Sequence, residues 1–525
     1  MRISTAQFFE TTSSKYQSNY SSVIKTQEQI DSGVRIQTAA DDPVGAGRLL
    51  QLQQQQDMLA QYTTNMNSIK SSLANQESVL DTINNALQKA SELALQAGGG
   101  VVSDADRLSI ANELGNIEDQ VFSLLNSKDA SGNYMFSGSK TDTPPYTRNN
   151  DGTYTYQGDD TQLNLKVSDT LTLAGSDTAK SIFDGAINTG RTQAELTTKP
   201  ATAVDGTVSV SGGLITSSPV FNKDFSQGQP YQVEFLSSTQ YVVRDGSGND
   251  ITSEVPGNGV FDATKEGAHS ISLRGVDFDI NLNLKDIAAA DQDDAVKGHI
   301  FTLEAKPDSF NASRSPGNTS TAQITGSTVD DAKVYGDSFP ASGAVIKFTS
   351  DTEYEIYAQP LTANSKSIAK GTMTGDSLTA MGVTFDFNGA RAAGDQFVVS
   401  ANNHQSQSAL DTISQLRQAL ATPSDGDVLA QQKQRDAINS AIGNLKNASA
   451  GVDTARGSIG ARLKAVDTQT AENESMVMAN KSTIAAIGNT DLAGASIDLA
   501  FQKAMLEASQ LAFVKISQLS LFNKI

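Results

Sequence analysis

The sequence predicts a multidomain protein in which the N- and C-terminal segments form an α-helical coiled-coil rod and a β-rich region with a duplicated β unit is inserted between them. Three observations predict this fold class. Apolar residues recur at alternating steps of three and four near both ends of the chain, which is typical of coiled-coil helices. From about Ser131 the period changes to two, which is typical of β-strands, and helical spacing returns near Gln405. Within the middle part, one stretch of sequence occurs twice.

Length, composition and charge limit the classes of function. A chain of 525 residues should hold more than one domain. The absence of cysteine excludes disulfides, thiolate metal sites and thiol nucleophiles. A net charge of −20 argues against nucleic acid as a partner, because phosphate binding needs a basic surface. The N-terminus lacks the apolar segment of a secretory signal and no long apolar run follows, so we expect neither Sec targeting nor membrane insertion.

The C-terminal stretch from Asp491 to Ile525 is predicted to be one amphipathic helix, with Asp491 as its N-cap. Its seam consists of Leu492, Ala495, Leu499, Gln502, Leu506, Ser509, Phe513 and Ile516. A helix of about 30 residues is roughly 45 Å long and cannot bury this stripe against itself. The same spacing recurs near the N-terminus, at Tyr16, Tyr20, Val23, Gln27, Ile30 and Val34. We therefore expect the two terminal helices to pack against each other.

Further helices are predicted on both sides of the β region. The first ends at Gly33, which can act as a C-cap, and Asp42 with Pro43 begins the next. That second helix has the longest regular seam of the chain: Leu59, Tyr62, Met66, Ile69, Leu73, Gln76, Leu80, Ile83, Leu87, Ala90, Ala94 and Ala97. Ser103 or Asp104 caps a third helix, and the pattern resumes after the β region at Leu410, Ile413, Leu416, Leu420, Ile438, Ile442, Leu445, Val452, Ile459, Leu463 and Val466.

The duplicated β unit is visible residue by residue. Tyr231–Asp245 resembles Ala344–Ala358, with Phe, Thr and Tyr at the same offsets, and Gly275–Asp279 resembles Gly382–Asp386. The stretch Lys306–Thr328, rich in Ser, Asn, Thr and Gly, is expected to be a linker. These patterns divide the chain into terminal helices (1–42 and 488–525), a helical bundle rod (43–145 and 403–487), a β-rich connector (146–204), a first β unit (205–305), and a linker with a second β unit (306–402).

The segment Ser32–Asp42, which reads SGVRIQTAADD, resembles the flagellin family, whose N-terminal signature is S-G-x-R-I-x-x-A-x-D-D. The resemblance covers residues 1–145 and 405–525. Two features are similar to the hook-associated branch of the family and not to filament flagellin. One is Tyr134–Thr141 (YMFSGSKT) followed by Pro144-Pro145-Tyr146, and the other is the C-terminal Leu519–Ile525 (LSLFNKI).

This resemblance implies a structural subunit of the bacterial flagellum, exported through the flagellar type III channel and placed between hook and filament. Its implied partners are further copies of itself in a ring, neighbouring hook-associated and flagellin subunits, and an export chaperone at the C-terminal helix. Because Gln27, Gln502 and Ser509 interrupt the terminal seams, we expect residues 1–40 and 490–525 to be mobile in the monomer and to fold on assembly.

The candidate assembly interface combines the terminal seams with the signature. Arg35 lies beside a glycine bend and ahead of two carboxylates, so a charge-assisted contact could fix the angle between the first two helices. The alternative is that Arg35, Asp41 and Asp42 are only helix caps and solvated charges around a helix break. The candidate residues are Tyr16, Tyr20, Val23, Ile30, Val34, Arg35, Asp41, Asp42, Leu492, Leu499, Leu506, Phe513 and Ile516.

Catalytic, cofactor and metal sites are not expected. His269, His299 and His404 are far apart in sequence and lack neighbours at ligand spacing. The acidic stretches Asp245–Asp250 and Asp291–Asp294 fit turns and not a calcium loop. Two alternatives to a junction subunit stay open: a filament flagellin, and a surface module in which the β insert acts as an adhesin.

Overall fold

The computed structural model describes residues 5–99, 102–149, 152–201, 203–204, 206–261, 269–315 and 317–522. The chain forms two compact units. Unit 1 contains Met1–Ala74, Leu163–Gly175 and Ile459–Ile525, and unit 2 contains Asn75–Gln162 and Ser176–Ser458. None of the helices in the described ranges is both long enough and apolar enough to cross a membrane.

Helices occupy both ends of the chain, as predicted. The long helices are α1 (Thr5–Ser32), α2 (Pro43–Ala97), α3 (Asp104–Leu125), α8 (Ala409–Ala421), α9 (Val428–Gly488) and α10 (Leu492–Phe522). The short helices are α4 (Ser218–Val220), α5 (Ser226–Gly228), α6 (Gln292–Val296) and α7 (Ala332–Ser338), with π-helical turns at Lys180–Asp184 and Phe221–Phe225 and 3-10 turns at Thr252–Glu254 and Pro256–Gly259.

The helix boundaries follow the predicted capping residues. Gly33 ends α1 with a φ of +68°, a conformation that glycine adopts without a Cβ clash. Asp42 caps α2, because its Oδ1 accepts the N–H of Gly45 at 2.9 Å. Ser103 and Asp106 form a capping box at the start of α3. Asp491 Oδ1 accepts the N–H of Ala493 at 3.1 Å and so caps α10.

The predicted seam of α2 is buried almost throughout. From Met66 to Ala94 every seam position, including the polar Gln76, is at most 1% exposed. The Gln76 amide is satisfied in unit 2, where its Nε2 donates to the carbonyl of Met135 at 2.6 Å and its Oε1 accepts the N–H of Asp177 at 3.0 Å. The polar position in the seam is therefore a hydrogen-bonded core residue.

The middle of the chain is β-rich. The strands are β1 (Tyr146–Arg148), β2 (Tyr154–Tyr156), β3 (Asn164–Lys166), β4 (Thr172–Ala174), β5 (Thr192–Thr198), β6 (Val208–Val210), β7 (Leu214–Ile215), β8 (Tyr231–Phe235), β9 (Tyr241–Arg244), β10 (His269–Leu273), β11 (Val276–Leu282), β12 (Ile300–Ala305), β13 (Ser309–Arg314), β14 (Gln323–Val329), β15 (Ala344–Phe348), β16 (Glu353–Ala358), β17 (Ala369–Thr372), β18 (Ser377–Ala380), β19 (Val383–Asn388) and β20 (Gln396–Asn402). β1 pairs with β2 and β3 with β4, and the other strands form four larger antiparallel sheets.

The sheet topology confirms the duplication. The first β unit contains sheets of order β5-β12-β8-β9 and β10-β11-β6, and the second contains β13-β20-β15-β16-β17 and β18-β19-β14. β13, β14, β15, β16, β18, β19 and β20 therefore take the places of β5, β6, β8, β9, β10, β11 and β12. Even single hydrogen bonds recur: the carbonyl of Gly275 accepts the N–H of Thr216 at 3.0 Å, and that of Gly382 accepts the N–H of Asp330 at 2.9 Å.

Each β unit has its own hydrophobic core. Phe225, Tyr231 and Phe278 are fully buried in the first core, and Phe348 and Phe385 are buried in the second. Inward-facing residues alternate with outward-facing ones, as in β11, because one face of each sheet covers the core.

Two expectations about the edges of the β units were wrong. The supposed linker Lys306–Thr328 contains all of β13 and most of β14. Likewise, β5 lies in the stretch expected to be a connector, yet it pairs with β12 of the first β unit. Edge strands rich in Ser, Thr, Asn and Gly have the composition of a linker, and only their pairing partners, far away in sequence, show that they are strands.

Candidate assembly interface

The terminal helices α1 and α10 pack antiparallel in unit 1. The rings of Tyr16 and Phe513 stack with centroids 6.3 Å apart, and Tyr20 stacks on Tyr16 at 6.4 Å. The Tyr16 hydroxyl also accepts a hydrogen bond from Gln510 Nε2 at 3.3 Å. Tyr16 and Phe513 thus meet as the two predicted seams require.

Two polar residues of the α10 seam accept hydrogen bonds from α1. Asn19 Nδ2 donates to Ser509 Oγ at 2.8 Å, and Thr26 Oγ1 donates to Gln502 Oε1 at 2.9 Å. Gln27 instead bonds within its own helix, to Asp31 at 3.0 Å. Gln502 and Ser509 were expected only to weaken the contact between α1 and α10, but both accept hydrogen bonds across it. Their donors, Asn19 and Thr26, lie outside the predicted seam.

The predicted seam residues differ in how well they are covered. Tyr16, Val23, Ile30, Leu499, Leu506 and Phe513 are half-buried, which fits a two-helix contact. Tyr20, Val34 and Leu492 are exposed, with 51%, 39% and 54% of their surfaces accessible, so these three are not part of the packed contact. The side chain of Ile516 lies outside the part of the structure that is described.

A second apolar face of α10 is open to solvent. Ile497, Phe501, Leu511 and Val514 expose 71%, 68%, 66% and 51% of their surfaces. An exposed apolar face of this kind on a polar-rimmed helix indicates a surface that other protein covers. The predicted seam does not include this face, because its residues fall between the seam positions.

The signature residues form a corner where α1, α2 and the end of α9 meet in unit 1. The backbone N–H of Arg35 donates to the carbonyl of Gly488 at 2.7 Å, and its guanidinium donates to the carbonyl of Ile487 at 2.9 Å. The guanidinium also contacts Asp42 at 3.4 Å. On the other side of the corner, Thr490 donates its N–H to the carbonyl of Gly33 at 2.9 Å.

Asp41 and Asp42 hold the corner loop in place. Asp41 accepts a salt bridge from Lys25 at 2.5 Å and the N–H of Thr38 at 2.8 Å. These two contacts hold the pKa of the Asp41 carboxyl well below its usual range. The N–H of Gly45, followed by Arg35, lowers the pKa of Asp42. Both groups are therefore anionic at neutral pH.

The sequence reasoning missed Lys25 and the carbonyls of Ile487 and Gly488. Lys25 is 16 residues from Asp41 along the chain, a separation that carries no helical signal, and backbone carbonyls leave no trace in side-chain patterns. The alternative of caps and solvated charges describes Asp42, which caps α2, but Arg35, although 47% exposed, also bonds to the carbonyl of Ile487 and contacts Asp42.

The three histidines occupy separate places. His299 is 2% exposed and its Nδ1 lies 2.8 Å from the carbonyl of Val296, whereas His404 Nε2 lies 3.0 Å from the carbonyl of Pro307. Within the described ranges, no group of three or more His, Asp or Glu side chains is placed to hold a metal ion.

The N-terminal part of the chain is similar to a known family of flagellar proteins. Residues 3–141 match the bacterial flagellin N-terminal helical region. This match confirms the resemblance to the flagellin family that the signature predicts.

The similar proteins include both hook-associated proteins and flagellins. Flagellar hook-associated protein 3 of Salmonella typhimurium is 33% identical over 184 residues, which are 35% of this chain and 57% of the relative. A flagellin of Shigella flexneri is 32% identical over 204 residues, 37% of this chain and 34% of that protein. The chain spans a little over half the length of the hook-associated relative, at 57%. A crystal structure of flagellar hook-associated protein 3 from Legionella pneumophila has a TM-score of 0.47 and 19% identity, covering 83% of this chain and 98% of that one.

Proposed function

We propose that this chain is a structural, non-enzymatic subunit of the bacterial flagellum that joins the hook to the filament. The open apolar face of α10, formed by Ile497, Phe501, Leu511 and Val514, is the observation that carries the proposal. Similarity to hook-associated proteins over part of the chain adds support. The subunit would assemble in a ring with copies of itself and contact hook-associated and flagellin neighbours through this face.

The size of the apolar face fits a role in assembly. Fully burying one large apolar side chain contributes about 1.5–3 kcal/mol, and 51–71% of each of these four surfaces remains to be covered, so covering them contributes roughly 4–8 kcal/mol before the cost of association. That range is sufficient for a stable contact only when several subunits cooperate. A single contact between two free subunits would be too weak to persist, so a free subunit would remain monomeric.

Labelling this chain in isolated flagella tests the proposal. A junction subunit should give a single band next to the hook and a few copies per flagellum. A filament flagellin, the alternative within the same family, should label the whole filament in thousands of copies. Labelling along the filament would overturn the junction assignment.

Export through the flagellar type III channel, assisted by a chaperone on α10, is part of the proposal. A helix with an exposed apolar face suits capture in a partner's groove. We also infer that α1 and α10 become fully ordered only on assembly, because their contact leaves most of both surfaces exposed. Sharp amide resonances with helical shifts for both helices in the dilute monomer would contradict that inference.

The corner formed by Arg35, Asp41 and Asp42 is proposed to fix the direction in which the terminal helices leave α2. Arg35→Ala removes the bond to Ile487 and the contact with Asp42, so filaments should become unstable and motility should fall. Arg48→Ala, in the exposed N-terminal part of α2, is the control. Normal motility of the Arg35→Ala strain would contradict this role.

A further inference from the structure

A cleft with a volume of about 560 Å³ lies in unit 2, between the first β unit and the helices α8 and α9. Its size falls within the range of about 300–1,000 Å³ that is typical of small-molecule sites. One side is apolar and is lined by Ala194, Leu196, Val210, Phe301 and Leu416. These residues come from β5, β6, β12 and α8, so regular elements fix the shape of the cleft.

Charged groups lie at another part of the cleft wall. Lys306 Nζ donates to the carbonyl of Gly190 at 2.6 Å, and Asp436 Oδ2 accepts the N–H of Gly212 at 2.8 Å. A carbonyl does not neutralise the ammonium, which keeps two further N–H donors. Desolvation in the cleft lowers the pKa of Lys306, although the nearby charge of Asp436 opposes this, and desolvation raises the pKa of Asp436 to about 6.

We propose that this cleft binds a small amphipathic anion, with its carboxylate at Lys306 and its apolar body along Ala194, Leu196 and Phe301. The Lys306 ammonium offers the head group a cationic hydrogen-bond donor. A single acyl or aryl chain of moderate length fits the apolar side. This binding activity is independent of the assembly role proposed above.

The duplication supplies a matched control. β13 and β20 take the places of β5 and β12, and they line a second cleft of about 850 Å³ in the same unit. Ala312 pairs with Val399 in this second unit as Ala194 pairs with Leu303 in the first. The second cleft is lined mainly by polar residues such as Asn311, Ser313 and Ser400, so it should not hold an apolar chain.

Titration of the full-length protein with carboxyl-labelled dodecanoate, below its micelle concentration, tests the proposal by calorimetry and carbon NMR. We expect one site per chain and a shifted carboxyl resonance. Ala194→Trp fills the apolar side and should weaken binding at least tenfold, whereas Ala312→Trp should leave it unchanged. Lys306→Met should weaken it about tenfold, and Lys297→Met, which alters an exposed lysine outside the cleft, should not.

Several outcomes would overturn the proposal. Equal affinities of the Ala194→Trp and Ala312→Trp proteins would show that dodecanoate binds elsewhere, for example on the open face of α10. Equal affinities for dodecanoate and dodecylammonium would show that the site does not select an anion. If Ala194→Trp lowers the unfolding temperature, the Lys306→Met result decides, because that substitution keeps the length of the side chain.

Discussion

Replacing Asp184 by Asn should change how the stability of unit 2 depends on pH. The Tyr146 hydroxyl donates to Asp184 Oδ1 at 2.6 Å. Burial, with a smaller contribution from the nearby Asp411, raises the pKa of Asp184 to about 7, although the hydrogen bond from Tyr146 and the charge of Lys180 oppose the rise. The native state therefore holds a proton on this carboxyl that the unfolded chain releases at a much lower pH.

The sign and size of the effect follow from this difference. An unfolded Asp titrates near pH ~4, so the native state binds more protons between pH ~4 and ~7, and stability falls as the pH rises through that window. About three pKa units correspond to ~4 kcal/mol. Solvent reaches part of the Asp184 side chain, so we expect roughly half of that value. Asn cannot ionise, and its carbonyl oxygen can still accept the Tyr146 hydroxyl.

Urea unfolding of the wild type and of Asp184→Asn at several pH values between 5 and 8 measures the difference. About two of the three pKa units lie within this range, so the variant should gain about 1.3 kcal/mol relative to the wild type across it. Asp436, whose pKa is raised to about 6, titrates in the same window, but it is present in both proteins and cancels. Asp337→Asn, on an exposed part of α7, is the control. Parallel stability curves for the wild type and Asp184→Asn would refute the reasoning.

Four further substitutions test the packing and the assembly face. Glu118→Ala should cost about 2–3 kcal/mol in urea unfolding, because it removes the fully buried carboxylate that Arg148, Arg417 and Tyr154 share, while both arginines are partly exposed and Arg148 keeps its contact with Asp119. Phe278→Ala and Phe385→Ala should each cost about 3–5 kcal/mol, and hydrogen exchange should show the loss of protection confined to the first and the second β unit respectively. Phe501→Ser should abolish incorporation into flagella while leaving the circular dichroism of the monomer unchanged, since its ring is largely exposed; unimpaired incorporation would contradict the assembly face.

The seam of α2 could be predicted because a helix that buries one stripe repeats its apolar residues along the chain. The pairing of α1 with α10 followed from two incomplete stripes, and the contact of Tyr16 with Phe513 confirms it. The sequence did not reveal that Asn19 and Thr26 donate to the polar seam residues, since a cross-helix hydrogen bond depends on the rotation of both helices. The rotation of the helices also explains why Leu492, a predicted seam residue, is exposed.

Long-range strand pairing was the other feature that could not be predicted from the sequence. β13 was mistaken for a linker because its partner, β20, lies at the far end of the second β unit. The hairpin of β15 and β16, in contrast, was visible as a repeat of the hairpin of β8 and β9, because both strands lie within one short stretch. The cleft beside Lys306 joins segments that are distant in sequence, and no local pattern could have indicated it.

The pairing of β13 with β20 means that the second β unit enters and leaves the molecule at one point. Ser309 lies opposite Asn402 in this strand pair, and paired positions in antiparallel strands have Cα atoms only about 4.5–5.5 Å apart. A chain lacking the residues between these two positions could therefore be closed by a very short bridge. The second β unit is in this sense an exchangeable module: a foreign domain with adjacent termini could be grafted at the same place without altering the helices that begin with α8.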